Sequence, residues 1–218
     1  MVAHVNQGSG TAAGTNVVTV TMDANTTVGN LLALVLLFSN EGRTVSSIAN
    51  LGTWTEAHTL QTQAGIGGLV IYGCRCTAAG TSITITLSGS SGSLEAYVRE
   101  FAISPDPFAE TGTSTVLNTT AITDFTVAAV TPASANCVFV GAISASGSGA
   151  PWTDDADFTY FVQTNAVRVA YRIQTGTTAQ SFSNTATTSR NGLGMLVAFE
   201  ATDAAGASGN PWYYYAQQ

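Results

Sequence analysis

The chain says nearly the same thing twice. Trp54-Thr55-Glu56 returns as Trp152-Thr153-Asp154, 98 positions later. Arg75 returns as Arg172 at an offset of 97, Gly80-Thr81-Ser82 as Gly176-Thr177-Thr178 at 96, and Phe101 as Phe199 at 98. Upstream, the apolar run after Asn30 (Leu31 to Phe38) is echoed by the run after Asn136 (Cys137 to Ile143). Landmarks in one order with so small a drift restrict the fold to one assembled from two related halves, about 15–106 and 107–203.

The periodicity inside each half is that of strands. Alternating or short continuous apolar runs predict strands over Val17 to Met22, Leu31 to Phe38, Val45 to Ile48, Trp54 to Gln61, Leu69 to Cys76, Ile83 to Leu87 and Leu94 to Ile103. The second half offers Phe125 to Ala129, Cys137 to Ile143, Thr159 to Gln163, Val167 to Ile173, Ser181 to Asn184 and Met195 to Ala201. Turn formers fill the gaps at Gly65 to Gly68, Ser88 to Ser93, Ser144 to Pro151 and Ser189 to Gly194. Val116 to Thr120 leaves room for one helical turn. Leu31 to Phe38 is far shorter than the ~20 residues of a membrane helix, and turn residues flank it, so it reads as a strand buried on both faces. Ser104-Pro105-Asp106-Pro107 reads as an extended crossover between the halves. The expected fold is all-β: a jelly-roll-like antiparallel β-sandwich formed from two sequence-related halves, as one domain over 1–203. Two architectures compete. Each half folds into its own small sandwich, or the halves interleave in one sandwich of about twelve to fourteen strands. Interleaving is preferred, because a lone half leaves edges that the other half would cover.

Composition narrows the function classes. Charged residues make up 9% of the chain, far below the usual ~25%. The many β-branched and aromatic residues nevertheless argue for a packed core rather than disorder. There is no lysine. The six basic residues are the scattered arginines 43, 75, 99, 168, 172 and 190, and the net charge is −7. Such a surface repels a phosphate backbone and an anionic membrane, so neither nucleic acid nor membrane is an expected partner. The first forty residues hold no Lys or Arg, so no signal-peptide n-region is expected. The three cysteines, Cys74, Cys76 and Cys137, are an odd count, which argues against a disulfide framework. Cys74 and Cys76 lie two apart on a predicted strand and face one side. They read as small core residues rather than a metal site, and no cofactor or metal is expected.

Several segments then resemble a known domain. These are Gly29-Asn30-Leu31-Leu32-Ala33-Leu34-Val35, Gly52-Thr53-Trp54-Thr55, and Tyr72-Gly73-Cys74-Arg75-Cys76-Thr77-Ala78-Ala79-Gly80. Val98-Arg99-Glu100-Phe101-Ala102-Ile103 and Asp106-Pro107-Phe108 continue the series, and Leu196 to Phe199 matches its closing strand. Together they resemble the repeated "GDLL…GWT…YWR…AYSGV…DP" β-sandwich domain of bacteriophage virion proteins and bacterial extracellular proteins. The resemblance covers roughly residues 15 to 203. Asn30 departs from the acidic residue of that pattern, and Glu100-Phe101 from its small Ser-Gly. The resemblance implies a scaffold on particle or cell surfaces and no single ligand.

Candidate sites are few. Trp54 and Trp152 follow loops and begin strands in equivalent places, and their repetition favours a pair of core caps over sugar-stacking platforms. Arg75 and Arg172 are expected to face outward or to pair with a carboxylate such as Glu100 or Glu200. Asp154-Asp155-Ala156-Asp157 is the one dense acidic cluster; without the spacing of a Ca²⁺ loop it reads as a solvated loop. Of the two histidines, His4 lies near a terminus and His58 in a strand. Glu56, Glu95 and Glu100 are available carboxylates, but no spacing singles out a glycosidase pair. No G-x-S-x-G, P-loop, H-E-x-x-H or G-x-G-x-x-G motif is present. The segment 204–218 is a small-residue spacer followed by Trp212-Tyr213-Tyr214-Tyr215, which is either a final strand or a partner-binding anchor.

These observations lead to the expectation of a non-enzymatic virion structural protein of a tailed bacteriophage. A capsid decoration (cement) protein that stabilises the head comes first. It would be made in the host cytoplasm, bound to the major capsid protein or another virion protein, and trimeric. The alternatives are a phage tail or fibre adhesin, a carbohydrate-binding β-sandwich module binding glycan, and a secreted bacterial adhesin.

Overall fold

A computed structural model describes residues 2–103, 113–147 and 151–201. It is an all-β sandwich of antiparallel sheets. The first half holds eight strands: β1 (Val2–Ala12), β2 (Thr15–Met22), β3 (Leu31–Phe38), β4 (Val45–Ala49), β5 (Trp54–Gln63), β6 (Gly67–Arg75), β7 (Ser82–Ser91) and β8 (Leu94–Ile103). They form one sheet in the order β4-β7-β2-β1-β8-β3-β6-β5. The second half holds β9 (Thr113–Val130), β10 (Asn136–Ala145), β11 (Trp152–Thr153), β12 (Thr159–Gln163), β13 (Val167–Thr175) and β14 (Gln180–Glu200). Their order is β11-β14-β10-β13-β12, with β9 also paired to β14.

The two orders are the same order. β9 does in one run what β1 and β2 do together, pairing with both ends of β14. β14 likewise does the work of β7 and β8: its first part pairs with β11 and its last part with β10. With those fusions, β3, β4, β5 and β6 correspond to β10, β11, β12 and β13. The repeat is thus an eight-position sheet used twice. The first copy begins at β1 rather than near residue 15.

The interleaved arrangement expected from the sequence is not what forms. Among the described residues, no strand pairing crosses from one half to the other. Each sheet instead curls over itself, and one of the two nearly closes into a barrel. Val18, Val20 and Met22 of β2 and Ile83, Ile85 and Leu87 of β7 meet Leu32, Leu34, Leu36 and Phe38 of β3. In the second half, Phe125 and Val127 of β9 and Phe182 of β14 meet Cys137 and Phe139 of β10. A third core lies between the halves. There Leu31, Ala33, Val35 and Leu37 face Val138, Val140, Ala142, Leu193, Met195 and Val197.

That geometry explains the most apolar run in the chain. All eight residues of β3 are buried because its even face fills the first half's core and its odd face the shared one. Side chains alternate across a strand, so a strand buried on both sides must be apolar at every position. Full burial of each such Leu or Val contributes about 1.5–3 kcal/mol.

The predicted bounds of β3, β8 and β12 match those observed. Other expectations about single elements are corrected. Val116 to Thr120 is no helical turn but lies inside β9, whose backbone is paired to β14. Ser189 to Gly194 is no turn but the bent middle of β14. β1 was not anticipated, since its Gly and Ser content mimics a loop. Gly8 is needed there because a Cβ would lie 2.7 Å from the Thr21 carbonyl oxygen of the paired strand.

Candidate functional site

The two halves meet along two seams related by the internal repeat. On one, β1 and β8 pack against β12 and β13; on the other, β9 and β14 pack against β5 and β6. Register shows which residues correspond. β3 pairs Leu31 with Phe101 and with Arg75. β10 pairs Val138 with Phe199 and with Ile173. Phe101 and Phe199 are therefore equivalents, as the sequence suggested, and both are fully buried in the shared core. Arg75, however, corresponds to Ile173, one position past Arg172.

Along β8 the residues that point toward the other half are Glu95, Tyr97, Arg99 and Phe101. Their equivalents on β14 are Leu193, Met195, Val197 and Phe199. The β14 seam is apolar and its residues fully buried. The β8 seam is polar, half-buried and opens into two cavities. One, about 200 Å³, is lined by residues that include Ser39, Ile66, Glu95, Ser144 and Ser146. The other, about 140 Å³, is lined by Gln7, Gly8, Ser9, Asp23, Tyr97, Arg99 and Phe161.

The polar groups of this seam are held firmly. The Tyr97 hydroxyl donates to Glu95 Oε2 at 2.8 Å, and Ser93 Oγ donates to Glu95 Oε1 at 3.3 Å. Burial, then the neighbouring carboxylate, pushes the Tyr97 phenol above its ordinary range, so it stays a protonated donor. Arg99 lies over the Phe161 ring at 4.2 Å and donates from Nη1 to Gln7 Oε1. Burial draws its pKa down to about 10, which still leaves it charged at neutral pH. At the deep end, His4 stacks on Tyr171 at 5.4 Å, and Tyr171 meets Phe101 edge-on at 5.2 Å. The seam can donate and accept hydrogen bonds. Its members do not form a nucleophile–base pair, and the sequence singles out only Glu95 and His4 among them, without a role. The missed signal was period two along β8: Glu95, Tyr97 and Arg99 alternate with the buried Leu94, Ala96 and Val98.

The sequence-predicted residues fall elsewhere. Trp54 and Trp152 are not in equivalent places. Trp54 opens β5 and pairs with Cys74 of β6, while Trp152 opens β11, the counterpart of β4, and pairs with Ala186 of β14. Each still packs on the core of its own half. Trp152 has Phe125 at 5.2 Å and the guanidinium groups of Arg168 and Arg190 at 5.0 and 5.6 Å from its ring. Its indole N–H donates to the Asn165 carbonyl at 3.1 Å.

The acidic cluster is not simply solvated. Asp154 accepts from Arg168 Nε at 2.6 Å and from Gln163 Nε2 at 2.6 Å. Asp155 accepts the Ser183 backbone N–H at 3.0 Å, and Asp157 pairs with Arg172 at 2.8 Å. The loop is anchored because its carboxylates reach back to β13 and β14. Arg172 therefore pairs with Asp157 and not with Glu100 or Glu200, whose roles differ. Buried Glu100 accepts the Thr27 N–H at 2.8 Å and the Asn30 amide at 2.6 Å. Glu200 accepts the N–H groups of Ala133 and Ser134 at 3.0 and 3.1 Å. Arg75 is exposed. The three cysteines are buried thiols, and burial followed by Glu200 pushes Cys137 up to about 12. Trp212, Tyr213, Tyr214 and Tyr215 lie outside the described residues, as does the Ser104–Pro107 crossover. Comparison with family models, with curated proteins and with solved structures finds no match to this chain.

Proposed function

We propose that the protein is a non-enzymatic structural component of a tailed-phage virion, first of all a head decoration (cement) protein whose partner is the major capsid protein. The observation that carries this reading is where the acidic side chains go. Glu100, Glu200, Asp154 and Asp155 each hold a loop or strand end of the scaffold in place. These four carboxylates are spent on the fold, which supports a scaffold role. The motif resemblance to virion sandwich domains and the uncharged polar exterior support the same reading. A cement protein acts by adding buried area between capsomers, so its working quantity is contact rather than turnover.

The test is reconstitution. Full-length protein added to particles stripped of surface proteins is expected to bind saturably and to raise their heat resistance. It is expected to be a trimer by light scattering, offering three copies of the aromatic segment for avidity. Protein lacking Gly209 to Gln218 is expected to keep its β circular dichroism and lose attachment. Equal binding by the shortened protein would remove the anchor from this reading, and absence of any binding would remove the decoration role. A fibre adhesin is the second reading, and the polar seam favours it.

A further inference from the structure

We propose that the seam along Glu95, Tyr97 and Arg99 is a binding cleft for a neutral saccharide. The internal repeat supplies the control. Two copies of one sheet pack against each other, and the packing needs of the two seams are the same. One seam is met by Leu193, Met195 and Val197, all fully buried. At the corresponding positions of the other stand a carboxylate, a phenol and a guanidinium. Polar groups there weaken the contact between halves, because each must be desolvated or left at a gap. The gap is what forms: two cavities, with Glu95 lining one and Tyr97 and Arg99 the other. Stability alone would favour the apolar set that the same fold carries on its other side.

The chemistry of the cleft selects the ligand. Arg99 has no ion-pair partner among the described residues, and Phe161 and Gln7 fix its orientation. It presents donors. Asp23 and Glu95 present acceptors, while Tyr97, Ser9 and Gln7 can supply either. Vicinal hydroxyls donate and accept in the same way, so a sugar ring can satisfy both kinds of group at once. An anionic ligand finds no excess of positive charge, since Asp23 stands beside Arg99 in one cavity and Glu95 lines the other, on a chain of net charge −7. An apolar ligand leaves the polar groups unpaired. Open cavities of about 140 and 200 Å³ are of a size to seat a sugar ring. This differs from a platform of exposed tryptophans, since Trp152 is held among Phe125, Arg168 and Arg190. It also stands apart from the decoration reading, because the cleft binds sugar wherever the protein resides.

Saturation-transfer NMR on the intact protein tests the idea. The probes are glucose, galactose, mannose and N-acetylglucosamine, with glucuronic acid as the charged comparison. Transfer is expected to at least one neutral sugar, with a dissociation constant on the order of 1 mM, as befits so small a ligand. Asp23→Asn is exposed and isosteric, and Tyr97→Phe removes one hydroxyl. Both are expected to weaken binding about tenfold, and Asp23→Asn to leave the melting temperature unchanged. Trp54→Phe is expected to leave binding as it was. Transfer to none of the neutral sugars overturns the proposal. So does binding that survives both Asp23→Asn and Tyr97→Phe, or a preference for glucuronic acid. Particle attachment is read in a separate assay, so either idea can fail without the other.

Discussion

At the scale of single residues, Trp152 shows how a side chain that reads as a ligand platform becomes structural. Its ring carries two buried arginines and Phe125, and its N–H is bound to a carbonyl. Trp152→Ala is expected to cost about 3–5 kcal/mol, measurable by urea unfolding, because it removes a large packed ring and the surface on which two guanidinium groups rest. A loss below about 1 kcal/mol would mean that the ring is peripheral. His4 gives a second residue-scale test. Burial, then the charge of Arg99, holds its pKa below the ordinary 6.5. The folded state thus binds fewer protons there than the unfolded chain. The stability linked to His4 is complete above the unfolded value and is lost as pH falls below it. Arg99 opposes protonation and Glu100 favours it, while Tyr171 stacks on the ring. Thermal melts from about pH 7 to about pH 5 are expected to fall more steeply for wild type than for His4→Phe, which keeps the stack. Parallel curves would show that His4 does not feel the interface.

At the scale of elements, much was legible because period two and burial on both faces leave strong marks. Leu31–Phe38 announces its two-sided core in eight consecutive apolar residues. What could not be read were places where one copy turns and the other runs straight. The first half breaks its path at Gly14, with φ of 68°, between β1 and β2; the second carries β9 through the matching bend at Ala121, with φ of 54°. Turn-like composition around Ser189 to Gly194 hid the continuity of β14 for a related reason. Gly192 is there for packing, since a Cβ would lie 2.1 Å from the Phe125 ring. Gly192→Ala is therefore expected to destabilise by about 1–3 kcal/mol through forced repacking, seen as a lower urea midpoint at unchanged slope. The Trp54–Trp152 match failed in a third way. Sequence similarity aligned a β5 residue with a β11 residue, and only strand pairing shows that these occupy different positions in the sheet. The polar seam was invisible for the same reason: that Arg99 corresponds to Val197 is a fact of register.

At the scale of the whole molecule, the decisive relation is between three cores. Each half owns one, and the third belongs to both. A half expressed alone keeps its own core but exposes Leu31, Ala33, Val35, Leu37, Leu69 and Ile71 together on one face. So large a contiguous apolar face is not stable in water. The face that receives it in the intact chain is built on the same plan, with strands in the same order. A second copy of the same half is therefore the natural substitute, repeating the reciprocal contacts by which the two halves now meet. Residues 1–106 alone are expected to form a dimer, or to aggregate where the Glu95 and Arg99 positions meet poorly across the new interface. Glu95→Leu together with Arg99→Val, which copies the β14 set, is expected to tighten that dimer. The intact chain is expected to unfold in one transition, because losing either half removes the shared core from the other. Sedimentation of the fragment and a calorimetric scan of the full chain decide the matter. A monomeric, soluble fragment with its own melting transition would show that the shared core adds little to the stability of either half.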